Sequence, residues 1–353
     1  MRSFREVIYR EVQYGVPALL VADIGGTNSN FGIAQIIEND ARLLFSLHVK
    51  SQEVNNFTDL VKDVLLYARE NYGLEIHNAC FATAGVVAPR QEYCKPTNLK
   101  IHIDARDIMK HTGLACAFIV NDFEVVGYGI GRLAAKDLVN VQTGNEFKHG
   151  NKAILGAGTG LGKSIMLWVE SKQRYQPVAS EGGHADFVAQ SRLDLDLIEY
   201  IQTQENYSCN ISWENVLSGK GIKRIYGFFG TKKNYDDADI TLAKDGPHPD
   251  EIFASRYRDK RCNDTFELYA KYYARCAKNW ALDALALGGI YIAGGIASHN
   301  VEMFKLALFL DEFGNCGKQE QFLKSMPIKI IADYNVSLYG AIEYMRLEGK
   351  CTL

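Results

Sequence analysis

A lone aspartate precedes a glycine-rich run in the stretch LLVADIGGTNSNFGIA, residues 19–34. A tight turn of small residues exposes backbone N–H groups, and such a turn suits phosphate oxygens. The residues of this turn are Gly25, Gly26, Thr27 and Asn28. Phosphate would repel Asp23 unless a hydrated Mg²⁺ lay between them, which is how carboxylates commonly join nucleotide sites. The alternative is an ordinary β-hairpin whose Asp and Asn satisfy the turn backbone. The motif alone leaves both interpretations open.

A second glycine-threonine turn occurs in GAGTGLG, residues 156–162. Its candidate phosphate-binding residues are Gly156, Gly158, Thr159 and Gly160. The segment is not a P-loop, because GKS at 162–164 lacks the first glycine at the required offset and precedes a strand-like run. Lys163 could contact phosphate, but an exposed strand lysine is the favoured interpretation. Two such turns can hold one polyphosphate from opposite sides.

Three further polar sites stand at the ends of predicted elements. Asp122 ends the apolar strand IVND, an expensive place for a carboxylate unless it faces a cleft or caps a helix. By itself the residue favours capping. In SEGGHADF, Glu181 and His184 flank two glycines and could share one space, although a surface turn with a satisfied histidine is the usual alternative. Glu214 precedes a predicted helix, where a carboxylate commonly complements the helix N-terminus.

Short β-branched runs alternate with amphipathic segments, the pattern of an α/β protein. Residues 19–22, 31–36 and 43–49 predict an antiparallel meander, and apolar spacing over 57–68 predicts a helix that Gly73 closes. The second half repeats strand, glycine-rich turn and strand, which suggests a duplicated architecture with a hinge near residue 132.

Three later segments complete the predicted elements. Asp264 and Glu267 predict a capping box at the start of a long helix. The run GGIYIAGGIASHN predicts a buried strand that ends at Gly294 and Gly295 before a helix. A final helix is predicted from Ser337.

Composition excludes several classes of protein. The 353 residues contain 39 Lys plus Arg against 42 Asp plus Glu, with no long block of one sign, so neither nucleic acid nor an anionic membrane surface is an expected partner. No segment resembles a signal peptide or a membrane span. We therefore expect a cytoplasmic protein. Cys351, Thr352 and Leu353 only loosely resemble a peroxisomal address, because the middle residue is not basic.

The motifs together resemble bacterial-type glucokinases. DIGGTN, AGVV followed by PTNLKIHIDA, IVNDFEVV, GAGTGLG, EGGHADF, ENVLSG and GGIYIAGGI occur in this order over residues 19–348. The resemblance implies the duplicated actin-like ATPase (ribonuclease H-like) fold, with small and large α/β domains and a cleft between them. The implied division is 1–132 plus 333–353 for the small domain and 133–332 for the large one.

The resemblance also implies an activity and a set of site residues. The activity is ATP-dependent phosphorylation of glucose at its 6-hydroxyl, with Mg²⁺ as cofactor. Asp122 matches the catalytic base, and Asp23 would hold Mg²⁺ through water. The remaining sugar-binding matches are Asn98, Asn121, Glu181, His184 and Glu214. Gly294 and Gly295 join the two turns as candidates for binding ATP. A homodimer is possible, since relatives are often dimers.

Two other functions stay open. An actin-like or chaperone-like ATPase module would use the same phosphate turns without a sugar pocket, and a sugar sensor would keep the pocket without catalysis. The sugar-binding set argues against the first function, and Asp122 with both phosphate turns argues against the second.

The sequence also departs from the family pattern. Ser29 and Asn30 stand where many relatives carry Ala-Arg, and Lys100 and Ile101 stand where a tryptophan is common.

Overall fold

The computed structural model describes residues 4–38, 40–88, 90, 92–97, 99–233, 235 and 246–349. Asn98 and the C-terminal residues 351–353, for which the sequence analysis makes predictions, lie outside the described residues.

Strands and helices alternate along the chain. The strands are β1 (Arg5–Ile8), β2 (Ala18–Ile24), β3 (Asn28–Ile37), β4 (Asp40–Lys50), β5 (Ile76–Thr83), β6 (Tyr93–Cys94), β7 (Ile103–Asp104), β8 (Cys116–Asn121), β9 (Leu138–Gln142), β10 (Lys152–Ala157), β11 (Leu161–Val169), β12 (Arg174–Ser180), β13 (Ile290–Ala293) and β14 (Ile328–Ile331). The α-helices are α1 (Phe57–Tyr72), α2 (Ala105–Thr112), α3 (Asp122–Ile130), α4 (Arg192–Gln204), α5 (Trp213–Val216), α6 (Gly219–Gly230), α7 (Pro249–Ala254), α8 (Lys260–Asp283), α9 (Gly295–His299), α10 (Val301–Phe304), α11 (Ala307–Gly314), α12 (Glu320–Lys324) and α13 (Val336–Glu348).

The first sheet has the order β1-β4-β3-β2-β5-β8. Strands β2, β3 and β4 form the predicted antiparallel meander, and β5 and β8 extend it in parallel. Helix α1 packs an apolar stripe on one face, between its Asn56 cap and the left-handed Gly73, as the sequence predicts. Helices α3 and α13 cover the other face. Because both faces are covered, β2 is apolar along nearly its whole length.

Two glycines let α3 and α13 pack closely. A Cβ on Gly340 would lie 1.8 Å from the Val125 carbonyl oxygen, and a Cβ on Gly129 would lie 2.1 Å from that of Val336. The two backbones therefore touch where any side chain would separate them. This contact fixes α3, whose first residue is Asp122, against α13.

The second six-stranded sheet has the order β12-β11-β10-β13-β14-β9. Its centre pairs β10 with β11 antiparallel and β10 with β13 parallel. The aromatic stripe of α8 is buried beside this sheet, as predicted for core residues. The predicted start of α8 is wrong: Asp259, not Asp264, caps the helix by accepting from the Cys262 N–H. Asp264 lies one turn inside, where it pairs with Lys260.

The chain divides into two compact units, residues 1–137 with 169–179 and 333–353, and residues 138–168 with 180–332. This division differs from the predicted domains at residues 133–137 and in the segment 169–179. That segment joins the first unit because Arg174 pairs with Glu348 at 2.5 Å and Gln176 donates to the Tyr128 hydroxyl. Within the described residues, no helix is both long enough and apolar enough to cross a membrane.

Candidate functional site

The GGTN turn connects β2 to β3. Gly25 donates its N–H to the Asn28 carbonyl at 3.0 Å, which closes the turn. Donors at residues 51 and 52 bind the turn's carbonyls: the Ser51 hydroxyl to Gly25, the Gln52 amide to Gly26 and the Ser51 N–H to Thr27. These bonds hold the carbonyl side of the turn against residues 51–52. The turn is therefore a fixed hairpin, as the sequence predicts.

Asp23 stands at the end of β2, directly before this turn. Burial raises the pKa of its carboxyl, and a hydrogen bond with the Ser337 hydroxyl of α13 acts in the opposite direction. Asn30 lies opposite Asp23 across the hairpin, and its Oδ1 is buried without a hydrogen-bond partner in the described part of the chain. A cavity of about 810 Å³ opens here, and its lining includes Asn30, Lys50 and Arg5.

Asp122 begins α3 at the same edge of the sheet, two strands away from Asp23. The predicted capping role belongs to its neighbour: the Asn121 Oδ1 accepts from the N–H groups of Phe123 and Glu124, at 3.0 and 3.2 Å. The Asn121 amide also donates to the Gly85 carbonyl at 3.4 Å, within the AGVV segment. Asp122 itself accepts from the Phe123 N–H at 2.9 Å and is partly buried.

The GAGTG turn connects β10 to β11 in the second unit, as predicted. Gly158 donates its N–H to the Gly160 carbonyl at 2.8 Å and accepts from the Gly219 N–H at 2.9 Å. Strand β13 pairs with β10 so that Ala293 faces Gly156. Gly294 follows with φ 90°, and a Cβ there would lie 2.6 Å from the Ala157 carbonyl oxygen. The fold thus brings Gly294 and Gly295 beside the turn.

The EGGH loop packs on the strand that leaves this turn. A Cβ on Gly183 would lie 1.9 Å from the Leu161 carbonyl oxygen, so only glycine fits. Glu181 and His184 flank this contact, with 3.7 Å between the Glu181 Oε2 and the His184 Nε2, and their side chains are 41% and 45% exposed. Partial burial raises the pKa of Glu181; His184 opposes this shift, and the Glu214 carboxylate adds to it.

Glu214 lies in the first turn of α5 and points at the same strand. Its Oε2 accepts the Leu161 N–H at 2.9 Å. The negative charge of Glu214 contributes to the raised pKa of Glu181, so the two carboxylates lie near each other. Sequence reasoning missed the role of Leu161, whose N–H binds Glu214 while its carbonyl contacts Gly183. The signal for it was indirect: the glycine at position 183, where the two backbones approach.

The expectation for Lys163 is wrong. Its side chain is 4% exposed and lies over the Trp280 ring, 5.2 Å from the centroid, with the Cys276 thiol as hydrogen-bond partner. The aromatic stripe of α8 covers this face of β11, which the local sequence did not indicate.

Each unit gathers part of the predicted set. The first unit holds Asp23, the GGTN turn, Asn121 and Asp122 on one sheet edge. The second holds the GAGTG turn, Glu181, His184, Glu214, Gly294 and Gly295. Among the described residues, no group of three or more His, Cys, Asp or Glu side chains forms a metal-ligand cluster.

Several known proteins are similar to this chain in sequence and in fold. The family model for glucokinase matches residues 20–348. The glucokinase of Nostoc punctiforme is 33% identical over 92% of this chain and 97% of its own length. A glucokinase from Balamuthia mandrillaris, solved in complex with glucose, has the same fold with a TM-score of 0.79 and 21% identity, covering 94% of each chain. A ROK family glucokinase from Streptomyces griseus, solved with glucose and AMPPNP, has a TM-score of 0.62 and 19% identity over 94% of this chain and 99% of its own.

Proposed function

We propose that this chain, which belongs to the glucokinase family, transfers the γ-phosphoryl group of ATP to the 6-hydroxyl of glucose. The observation that carries the proposal is the family match over residues 20–348, which includes both phosphate turns and every described candidate sugar ligand. The glucose and AMPPNP complexes of proteins with this fold support the choice of substrates.

The proposed catalytic base is Asp122. Its carboxylate takes the proton of the sugar 6-hydroxyl while that oxygen forms a bond to the γ-phosphorus and the bond from the γ-phosphorus to the β,γ-bridging oxygen breaks. The products are glucose 6-phosphate and ADP. The capping geometry is compatible with this role: Asn121 accepts the N–H groups of Phe123 and Glu124, so α3 keeps a cap besides the bond from the Phe123 N–H to Asp122.

The proposed sugar ligands in the second unit are Glu181, His184 and Glu214. Carboxylate and imidazole groups accept and donate to vicinal hydroxyls in fixed directions, which suits a pyranose. The close contact of Gly183 with Leu161 and the bond from Leu161 to Glu214 support the proposal, because they hold both carboxylates on one strand. Asn121 and Asn98 complete the proposed set. The oxygen and the nitrogen of the Asn121 amide both also form hydrogen bonds within the protein.

The proposed sites for the ATP phosphates are the two turns, residues 25–28 and 156–160, with Gly294 and Gly295 beside the second turn. The N–H groups of Gly25, Ala157 and Gly158 already donate within the protein, so they shape the turns and are not offered to phosphate. The residues present fit Mg²⁺: Asp23 is a partly buried carboxylate next to the GGTN turn, and burial raises its pKa, so a nearby cation would stabilise its charged form. When bound, Mg²⁺ would neutralise phosphate charge. Arg5, Lys50 and Glu53 line the adjoining cavity, so two positive side chains and one negative side chain lie near Asn30.

We also propose the duplicated actin-like fold, a homodimer and a location in the cytoplasm. The similar order of the two six-stranded sheets, each with a glycine turn between adjacent antiparallel strands, supports the duplication.

A coupled assay of ADP formation tests the function. Purified protein with Mg-ATP is supplied with glucose, mannose, fructose or no sugar, and GTP replaces ATP in a parallel series. We expect ADP formation that depends on glucose. Hydrolysis that is equal with and without sugar would indicate an ATPase module, and glucose binding without turnover would indicate a sensor.

A further inference from the structure

The GAGTG turn is held at both ends by one short helical segment. Gly219, the first residue of α6, donates its N–H to the Gly158 carbonyl at 2.9 Å. Glu214, in α5, accepts the Leu161 N–H through Oε2, also at 2.9 Å. Between these contacts the turn has its own bond from the Gly158 N–H to the Gly160 carbonyl. The position of the turn therefore depends on the segment that carries Glu214.

That segment is itself rigid. The Ser218 hydroxyl donates to the Glu214 carbonyl at 2.8 Å and accepts the Gly221 N–H at 3.1 Å, which joins α5 to α6. Val216 and Leu217 are fully buried between them. A Cβ on Gly221 would lie 2.2 Å from the Val216 carbonyl oxygen, so the junction is packed backbone to backbone. Movement of Glu214 is limited to its side chain.

The EGGH loop joins the same assembly. The Trp213 N–H donates to the Ala185 carbonyl at 2.9 Å, and Gly183 rests on the Leu161 carbonyl. The Leu161 peptide therefore contacts Gly183 through its carbonyl and Glu214 through its N–H. Both proposed sugar-binding segments therefore contact Leu161, the residue at which the proposed phosphate turn ends.

We propose that Glu214 is a positioning residue for the nucleotide as well as a ligand of the sugar, so that binding of glucose strengthens binding of ATP. This inference rests on the proposed function. The two oxygens belong to one planar carboxylate, and only Oε2 has a hydrogen bond in the described structure. A sugar hydroxyl bonded to Oε1 fixes the plane of the Glu214 carboxylate. That plane sets the direction of the hydrogen bond from the Leu161 N–H to Oε2, and thereby the position of the end of the turn. By linkage, ATP strengthens glucose binding by the same factor.

Calorimetric titration with Mg-AMPPNP, a non-hydrolysable ATP analogue, tests the inference. The Kd is measured without glucose and at saturating glucose. For the wild type we expect glucose to lower the Kd about fivefold or more, the lower end of typical coupling between sites. Glu214→Ala leaves the Leu161 N–H unpaired, so we expect about tenfold weaker AMPPNP binding without glucose and no effect of added glucose.

Two variants serve as references. Glu214→Gln retains an amide oxygen for the Leu161 N–H, so we expect its AMPPNP affinity without glucose to stay within about twofold of the wild type while its KM for glucose rises. Glu199→Gln removes one charge from an exposed position of α4 and should leave both constants unchanged. AMPPNP binding that Glu214→Gln retains and Glu214→Ala loses separates a positioning role from general damage to the fold.

The inference is overturned if Glu214→Ala binds AMPPNP as the wild type does and loses only glucose affinity, because Glu214 is then a sugar ligand alone. If Glu214→Ala fails to fold, Glu214→Gln decides: wild-type coupling in that variant contradicts the inference, and coupling reduced to about half or less supports it. A wild-type protein that does not phosphorylate glucose refutes the proposed function instead, which the coupled assay shows separately.

Discussion

Gly183→Ala is expected to impair the sugar site severely, whereas the neighbouring Gly182→Ala is not. A Cβ at residue 183 would lie 1.9 Å from the Leu161 carbonyl oxygen, a distance that real Cβ atoms do not reach, and contact below 3.0 Å forces a shift. The loop that carries Glu181 and His184 must therefore move by roughly 1 Å or more, and a misplacement of that size costs about 10²-fold in catalysis.

Gly182→Ala provides the matched control. A Cβ there would meet the Ser180 Oγ at 3.0 Å and the Lys163 Cδ at 3.2 Å, two side-chain atoms rather than backbone. A displacement of a few tenths of an ångström accommodates it, and we expect kcat/KM for glucose within about fivefold of the wild type.

The assay compares kcat and KM for glucose at saturating Mg-ATP, with thermal unfolding of each variant as a check on folding. The expected pattern is a folded Gly183→Ala protein with kcat/KM for glucose lower by about 10²-fold. Near-normal kcat/KM in folded Gly183→Ala would refute the claim that the EGGH loop binds the sugar from a position fixed by Leu161.

Three further predictions concern the first unit. Burial and the neighbouring Glu348 raise the pKa of Glu124 to about 7, so its contribution to stability is present below its ordinary value of 4.5 and is lost as pH rises through about 7. Glu124→Gln should therefore raise the free energy of unfolding by up to about 3 kcal/mol at pH 8 and little at pH 5, measured by urea unfolding; an equal effect at both pH values contradicts it. Ser337→Ala removes the bond that lowers the Asp23 pKa, so the acid limb of kcat/KM for Mg-ATP should move to higher pH, and an unmoved limb would show that Asp23 does not control it. Gly340→Ala forces α13 off α3 and should cost about 1–3 kcal/mol, whereas Gly131→Ala, which has open space, should be neutral in the same unfolding measurement.

Local patterns predicted the elements well where the pattern itself causes the structure. The β2–β3 and β10–β11 hairpins follow from apolar strands with glycine turns between them, and α1 ends at Gly73 because glycine adopts the left-handed conformation there. The predicted start of α8 was wrong because Asp259 and Asp264 lie about one turn apart and both residue types fit a helix cap. The local sequence does not distinguish between them, and the structure has Asp259 as the cap.

Tertiary partners explain the remaining differences at the site. Lys163 looked exposed because the sequence of β11 does not show that Trp280 of α8 covers it. The cap of α3 could have been either Asn121 or Asp122, since both side chains accept N–H groups, and the helix geometry selects Asn121. The contacts of Leu161 with Gly183 and Glu214 join segments more than 20 residues apart, which no local spacing encodes.

The most direct measurement is kcat for glucose phosphorylation by Asp122→Asn. The substitution keeps the size and one oxygen acceptor of the side chain, and the Asn121 cap preserves α3, so thermal unfolding should match the wild type. Without a carboxylate to take the hydroxyl proton, kcat should fall roughly 10²-fold or more, while the Kd for glucose changes little. A folded Asp122→Asn protein that turns over at a near wild-type rate would contradict the assignment of Asp122 as the base.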